Sequence, residues 1–373
     1  MVNIKEVKTS KDIKNFIEFP LNLYKDCPYF VPPLYGDEKA LLKSGGCNDV
    51  AESIFLLAEK DGKIVGRIHG ILQKQYNELH NTKQIRFTRF DSINDIEVAN
   101  ALFSAVEDWG KKLGMTHICG PLGFNDLERE GLLIEGFEEN STFEEQYNFD
   151  YYKDLIDALG YKKDVDWLEF ELTAPDKKHP FLERAAARAL ELNNLHVVDS
   201  SKMSKSAYIN KYADGFFKCL DECYSKLYGT VPIEKEQQNA LISQFKTVLN
   251  KDYLDFVCDE NERVVGFSLC FPAFGDALKK SGGRLTLPAI IKLLKSVNKP
   301  KTVDLGLIAV LPEYQIKGVN AVFINKLVDW LVTGKVKSCE TNLNLETNNA
   351  VMAQWDCVKS RQHKRRRAYI KEI

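Results

Sequence analysis

One order of elements occurs twice in this chain, about 200 residues apart, and no other feature limits the fold as much. Ile54–Lys60 and Lys63–Ile68 are β-rich runs flanking Asp61-Gly62, a pair suited to the positive φ angles of a tight hairpin turn. Tyr253–Cys258 and Val264–Phe267 repeat that layout, and Val65-Gly66 and Val265-Gly266 fall at matching places. A glycine just after a strand valine marks a bulge or a close backbone approach. After the first hairpin the pattern predicts a strand over 85–90, a helix over 96–113 with its stripe at Val98, Leu102, Phe103, Val106 and Trp109, and a strand over 115–119. After the second it predicts a strand over 303–310, a helix over 319–332 with Val319, Val322, Phe323, Leu327, Trp330 and Leu331 on one face, and a strand over 338–345. Each half closes on a helix and a strand, over 151–159 and 167–172 in the first, and over 350–359 and 367–370 in the second.

The polar run Thr173–Pro180 carries two prolines and reads as a linker. The expected division is therefore a domain over 1–172, a linker over 173–180 and a domain over 181–373. With 373 residues, each half can bury its own core. The architecture that follows is a mixed-sheet α+β fold, duplicated.

Composition excludes several function classes. Lys+Arg 51 against Asp+Glu 53 leaves a net charge of -2, too balanced for a protein that coats nucleic acid, so no DNA partner is expected. Met1–Glu6 is polar and no run of about 18 apolar residues occurs, so neither a secretory leader nor a membrane span is expected and the cytoplasm is the default compartment. Of 9 cysteines only Cys219 and Cys223 are close, four apart, without a second pair at zinc spacing, and the six histidines add none; no metal is expected.

The segment with most chemical content is Leu305–Asn320. A strand ends at Val310, Pro312 breaks it, and a short loop enters a helix near Gly318. A helix start offers unpaired N–H groups and the positive end of a dipole, and a glycine there lets backbone approach a pyrophosphate. Gln315-Ile316-Lys317-Gly318-Val319-Asn320 fits Gln/Arg-x-x-Gly-x-Gly/Ala, with Asn320 in the last small position.

On these residues the chain resembles the Gcn5-related N-acetyltransferase (GNAT) superfamily, through the whole second half and more loosely through the first. Glu346-Thr347-Asn348-Asn349 is similar to the opening of that family's last helix. The resemblance implies two tandem GNAT-like domains, the second binding acetyl-CoA or another acyl-CoA. Ile308 and Val310 would meet the pantetheine, while Gln315, Ile316, Lys317, Gly318, Val319 and Asn320 would surround the pyrophosphate. The implied reaction is direct transfer of the acyl group to a small-molecule or peptide amine. A general base is sought among Asp304, Glu340 and Glu346. Trp355 stands where the family often has the tyrosine acid, leaving Tyr369 or Tyr314 for that role. The whole chain also resembles a bacterial family of tandem-GNAT proteins, through Tyr29–Leu34, Asp61–Ile68, Gly131–Phe137, Asn148–Tyr152 and Lys364–Tyr369.

The first half differs at the decisive step. Phe90–Glu97 holds no glycine and three acids, Asp91, Asp95 and Glu97, which repel phosphate; Asp91, Ser92 or Asn94 reads as a helix cap. No CoA site of the usual kind is expected there. Gly120–Asn125 and Gly131–Phe137 form a glycine-rich run that reads as a surface loop or a cleft lining. The basic run Lys359–Arg367 reads as a solvated connection, a phosphate or acidic-substrate site, or a nucleic-acid contact. The insertion Phe274–Pro300 alternates lysines with leucines and isoleucines and reads as a packed helical excursion, a lid, or a basic helix on a membrane surface. Three functions stay open at this point: an acyl-CoA N-acyltransferase, a long-chain acyl or aminoacyl transferase of the same plan, and a non-catalytic binding protein on this scaffold.

Overall fold

The computed structural model describes residues 1–46, 50–177 and 180–373. Its strands are β1 Asn3–Glu6, β2 Ala51–Lys60, β3 Lys63–Gln73, β4 Gln84–Ser92, β5 His117–Gly120, β6 Leu132–Glu135, β7 Lys162–Thr173, β8 His196–Val197, β9 Leu254–Cys258, β10 Val264–Pro272, β11 Thr302–Val310, β12 Ser338–Thr341, β13 Asn344–Leu345 and β14 Lys359–Glu372. Its helices are α1 Ser10–Leu23, α2 Tyr35–Ser44, α3 Lys74–His80, α4 Ile96–Lys112, α5 Tyr151–Ala158, α6 Pro180–Leu192, α7 Lys205–Tyr224, α8 Lys235–Phe245, α9 Gly275–Lys279, α10 Leu287–Asn298, α11 Pro312–Gln315, α12 Asn320–Val332 and α13 Asn349–Met352.

Contacts group these residues into two units. The first holds 1–168, 275–290 and 363–373, and the second 169–274 and 291–362. This division differs from a single cut at 173–180, of which Lys178 and His179 lie outside the described residues. Two late pieces of chain are grouped with the first unit because their partners are there. Tyr369 pairs with Gly120 and Lys371 with Ile118 across β14 and β5, and the Lys279 ammonium donates to the Pro28 carbonyl at 2.6 Å.

In the first unit the strands run β1-β2-β3-β4-β5, then the end of β14. The β2–β3 turn is at Asp61 (φ 52°) and Gly62 (φ 74°), as the Asp-Gly pair predicts. A register shift at Ala58/Glu59 sits opposite Gly66, so the glycine marks both a bulge and a close approach. A Cβ on Gly66 would lie 2.8 Å from Leu102 Cδ1, which is how tightly α4 packs on β3. Val98, Leu102, Phe103 and Val106 then complete a core with Ile85, Phe87 and Phe90; Trp109 packs at its margin.

The second unit repeats the plan. Its strands run β8-β9-β10-β11-β12, then the end of β7. A register shift falls between Val264 and Gly266, and a Cβ on Gly266 would lie 2.9 Å from the Ala309 carbonyl oxygen and 3.2 Å from the Phe323 ring. Leu305, Ile324, Leu327, Trp330, Leu331, Cys339 and Trp355 form its core.

Three local expectations need correction. The cap of α4 is Asp95, whose carboxylate accepts from the Glu97 N–H at 2.9 Å, not Asp91, Ser92 or Asn94. The closing helix over 350–359 shrinks to α13 and a 3-10 turn at Ala353–Cys357, because β14 already begins at Lys359. The glycine-rich run is not a surface loop: Leu122 and Glu130 are buried, and the Arg86 guanidinium donates to the Gly123 carbonyl at 3.0 Å.

Candidate functional site

In the second unit β11 and β12 run parallel in register from Thr302↔Ser338 to Leu305↔Thr341, and there the pairing ends. Strand β12 stops at Thr341 while β11 continues five residues further, to Val310. Gly306 lies at the point of separation. On the other edge Leu269 pairs with Leu307 and Cys270 with Leu305, so Gly306 is the extra residue of a bulge. The Leu311 N–H donates to the Val265 carbonyl at 2.9 Å. Since successive residues turn their polar groups to opposite edges, Ile308 and Val310 face the open side. That is the edge on which an extended amide-bearing ligand would pair.

The open edge is already partly paired by the unit's own side chains. The Tyr224 hydroxyl, on the last turn of α7, donates to the Ile308 carbonyl at 3.2 Å. The Val310 carbonyl accepts from Gln315 Nε2 at 2.9 Å and from the Cys223 thiol at 3.2 Å. Gln315 is thus folded back to close its own loop.

The loop then turns at Gly318, whose φ of 78° favours glycine, and enters α12. Ile316, Lys317 and Gly318 are exposed, and Val319 is buried. Lys317 Nζ sits 4.5 Å from the centre of the Tyr314 ring. The start of α12 has no side-chain cap and no acidic residue in its first turn. The start of α4 has both, and Lys60 is paired there with Asp95 at 2.8 Å and Glu97 at 3.2 Å. Equivalent helix starts in the two units therefore carry opposite local charge, and only that of α12 suits an anion.

The expected proton-transfer residues are divided between the units. Asp304 is buried on the paired part of β11, in register with Glu340. Glu346 is half-buried on the turn before α13, and the Asn348 side chain caps that helix by accepting from the Val351 N–H at 3.3 Å. Tyr369 lies in the core of the first unit, in register with Gly120, and burial pushes its phenol up. Trp355 is buried in the second core.

The first unit has the same splay, with a different filling. Strands β4 and β5 pair in parallel from Gln84↔His117 to Arg86↔Cys119, and the Ile93 N–H donates to the Val65 carbonyl at 3.0 Å, as Leu311 does to Val265. Phe90 and Ser92 therefore face the open edge. The Phe90 carbonyl accepts from Gln146 Nε2 at 3.4 Å, the Ser92 carbonyl from the Tyr151 hydroxyl at 2.7 Å, and the Ser92 N–H donates to the Tyr152 hydroxyl at 3.0 Å. Behind this edge lies a buried charged network. Arg67 Nε donates to Asp91 at 2.8 Å, the Tyr24 hydroxyl to the same carboxylate at 2.8 Å, and Arg89, at φ 48°, grips Glu38 through two nitrogens at 3.0 and 3.1 Å. Burial and the charges of Arg89 and Arg67 hold His69 well below its usual value, while burial brings Arg129 down to about 10. Sequence reasoning missed this network. Its only sequence signal is the density of charge on residues that alternate with core aromatics in β4.

The basic run is a strand. Lys364 and Arg366 are buried, Arg366 pairs with Glu145 at 3.1 Å, Arg367 with Asp166 at 2.7 Å, and Arg361 with Glu171 at 2.9 Å. From Lys364 onward its charges serve as partners inside the sheet, whereas Lys359 and Arg361 stay exposed.

Among the described residues, no helix is long and apolar enough to cross a membrane, and no group of three or more His, Cys, Asp or Glu side chains could hold a metal ion.

No protein-family model matches the chain. Protein YghO of Escherichia coli is 26% identical over 371 residues, covering 97% of this chain and 93% of that protein. A bacterial ceramide synthase of Caulobacter vibrioides is 25% identical over 291 residues, covering 77% of this chain and 74% of that protein. Among solved structures, a tandem GNAT protein from the clavulanic acid biosynthesis pathway aligns with 100% of this chain and 98% of its own, at a TM-score of 0.57 and 12% identity. A GCN5-related N-acetyltransferase from Sphaerobacter thermophilus aligns with 100% of this chain and 95% of its own, at a TM-score of 0.51 and 10% identity. At such identities the likeness concerns the fold, and it extends over the whole chain. Together with the repeated hairpin, splay and helix, it shows two GNAT-like domains in tandem: this chain has the GNAT fold twice.

Proposed function

We propose that the second unit is an acyl-CoA-dependent N-acyltransferase site and that the first unit has no CoA site of this kind. The observation that carries the reading is the uncapped start of α12 beside the unpaired end of β11, against the acid-capped start of α4. Pantetheine amides pair with Ile308 and Val310, and the backbone of Gly318, Val319 and Asn320 with the side chain of Lys317 holds the pyrophosphate. Ile316 and Gln315 shape the loop rather than touch phosphate, since Gln315 is engaged with Val310. To admit the ligand, Tyr224 releases the Ile308 carbonyl.

In the reaction the acceptor nitrogen attacks the thioester carbonyl, the C–N bond forms and the C–S bond breaks. CoA leaves as thiolate, and the ammonium proton passes to a carboxylate, Glu346 or Asp304. Tyr314, just before the Gly318 loop, is the further candidate for proton transfer; Tyr369, the sequence's other candidate, is buried in the core of the first unit. The acceptor is a small-molecule or peptide amine. A long-chain acyl donor and a lipid-like amine are the second reading, supported by the name of the Caulobacter relative.

Calorimetric titration with acetyl-CoA and palmitoyl-CoA tests the proposal, followed by thiol release in the presence of amines. Binding that Gly318→Glu removes is the expected result. Absence of binding by either thioester, or binding that Gly318→Glu leaves unchanged, defeats the proposal. Tighter binding of palmitoyl-CoA selects the second reading.

A further inference from the structure

Helix α10 carries one broad apolar arc, and only part of it is buried. Ala289, Leu293 and Val297 are 3–5% exposed and hold the helix to the protein. Leu287 (73%), Ile290 (36%), Ile291 (60%) and Leu294 (45%) are exposed, and Leu285 just before them is 55% exposed. At roughly 100° per residue these four helix positions fall within an arc of about 100°, a contiguous stripe. The buried part is enough to dock the helix; an exposed continuation of this width marks a surface that meets something apolar.

The surrounding charge says what that is. From Lys279 to Lys301 the chain holds Lys279, Lys280, Arg284, Lys292, Lys295, Lys299 and Lys301, with no acid between Asp276 and Asp304. Lys279 is paired with Asp276 at 3.0 Å and Arg284 with Glu18 at 2.7 Å, whereas Lys280, Lys292, Lys295, Lys299 and Lys301 are exposed. Lys292 and Lys295 follow the stripe along one flank. Leucine and isoleucine flanked on one side by lysines is the pattern of a helix lying in a bilayer interface, its apolar side chains among the acyl chains and its ammonium groups at lipid phosphates. The complementary surface is apolar and negatively charged at once.

We propose that α10, with the segment from Lys280 to Lys301, docks the protein on an anionic lipid bilayer. This is independent of the acyl-transfer reading, since it needs neither CoA nor an intact Gly318 loop.

The test is flotation of the full chain with phosphatidylcholine vesicles, with and without phosphatidylglycerol. Binding to the anionic vesicles is expected to exceed binding to pure phosphatidylcholine by about tenfold or more and to weaken with added salt. Ile291→Ser with Leu294→Ser, and separately Lys292→Glu with Lys295→Glu, are each expected to lower it about tenfold or more without moving the thermal midpoint, because all four side chains are exposed. Failure to float with either vesicle overturns the proposal. So does equal binding by the variants, or a dimer in light scattering that Ile291→Ser with Leu294→Ser converts to monomer, which would assign the stripe to a second copy of this chain. If a variant shifts the thermal midpoint, the wild-type comparison between the two vesicle types and its salt dependence decide the question alone.

Discussion

The Tyr224 hydroxyl donates to the Ile308 carbonyl at 3.2 Å, on the edge of β11 that β12 has left. In the first unit the equivalent edge is held by Tyr151 and Tyr152 at Ser92. The difference lies in what surrounds these bonds. The Ser92 edge is backed by the buried Arg67–Asp91 pair and Tyr24, whereas Tyr224 is part-exposed at the end of a helix. One clasp can open cheaply, and the other is locked into a core.

Tyr224→Phe removes a competitor for the Ile308 carbonyl while keeping the ring. A net hydrogen bond is worth about 0.5–1.5 kcal/mol, so acyl-CoA affinity is expected to rise about two- to tenfold. Titration calorimetry reads this directly, and weaker binding by the variant speaks against a ligand on this edge.

Asp91→Ala leaves the buried Arg67 guanidinium without its carboxylate, and removes one of the two partners of the Tyr24 hydroxyl. Breaking a buried pair from one side costs about 3–5 kcal/mol. Urea unfolding should show that loss, and a change below about 1 kcal/mol would mean that the network is not structural.

Gly266→Ala places a Cβ against the backbone oxygen of Ala309, which cannot swing aside. A loss of about 1–3 kcal/mol is expected in urea unfolding.

His69 is buried neutral, its value held below 6.5 by burial and then by Arg89 and Arg67. The unfolded chain binds the proton first as pH falls, so stability contributed by this residue is complete above about pH 6.5 and declines below it. The slope approaches about 1.4 kcal/mol per pH unit until the folded value is reached. Unfolding free energies at pH 7.5 and 5.5 should differ more for the wild type than for His69→Gln; equal differences would mean that His69 does not titrate as described.

Much of the fold was legible because its signals are local. The α4 and α12 stripes, the Asp61-Gly62 turn and the valine–glycine steps at Gly66 and Gly266 each rest on neighbours in sequence. Residues 363–373 could not be assigned to the first unit in this way, since the partner of Tyr369 is Gly120. Nor does a run of basic residues announce a strand whose alternate members Lys364 and Arg366 are buried, while Arg365 and Arg367 on the other face pair with Asp166. Of the candidate site, the Gly318 turn and the start of α12 could be read directly. The pairing of Ile308 with Tyr224 could not, because it joins residues 84 positions apart through one hydroxyl.

Hydrogen–deuterium exchange with and without saturating acetyl-CoA tests the central claim most directly. The account predicts slowed exchange at residues 306–310 and 316–322, with no change at 87–97. Protection at 87–97, or none at 306–310, would contradict it.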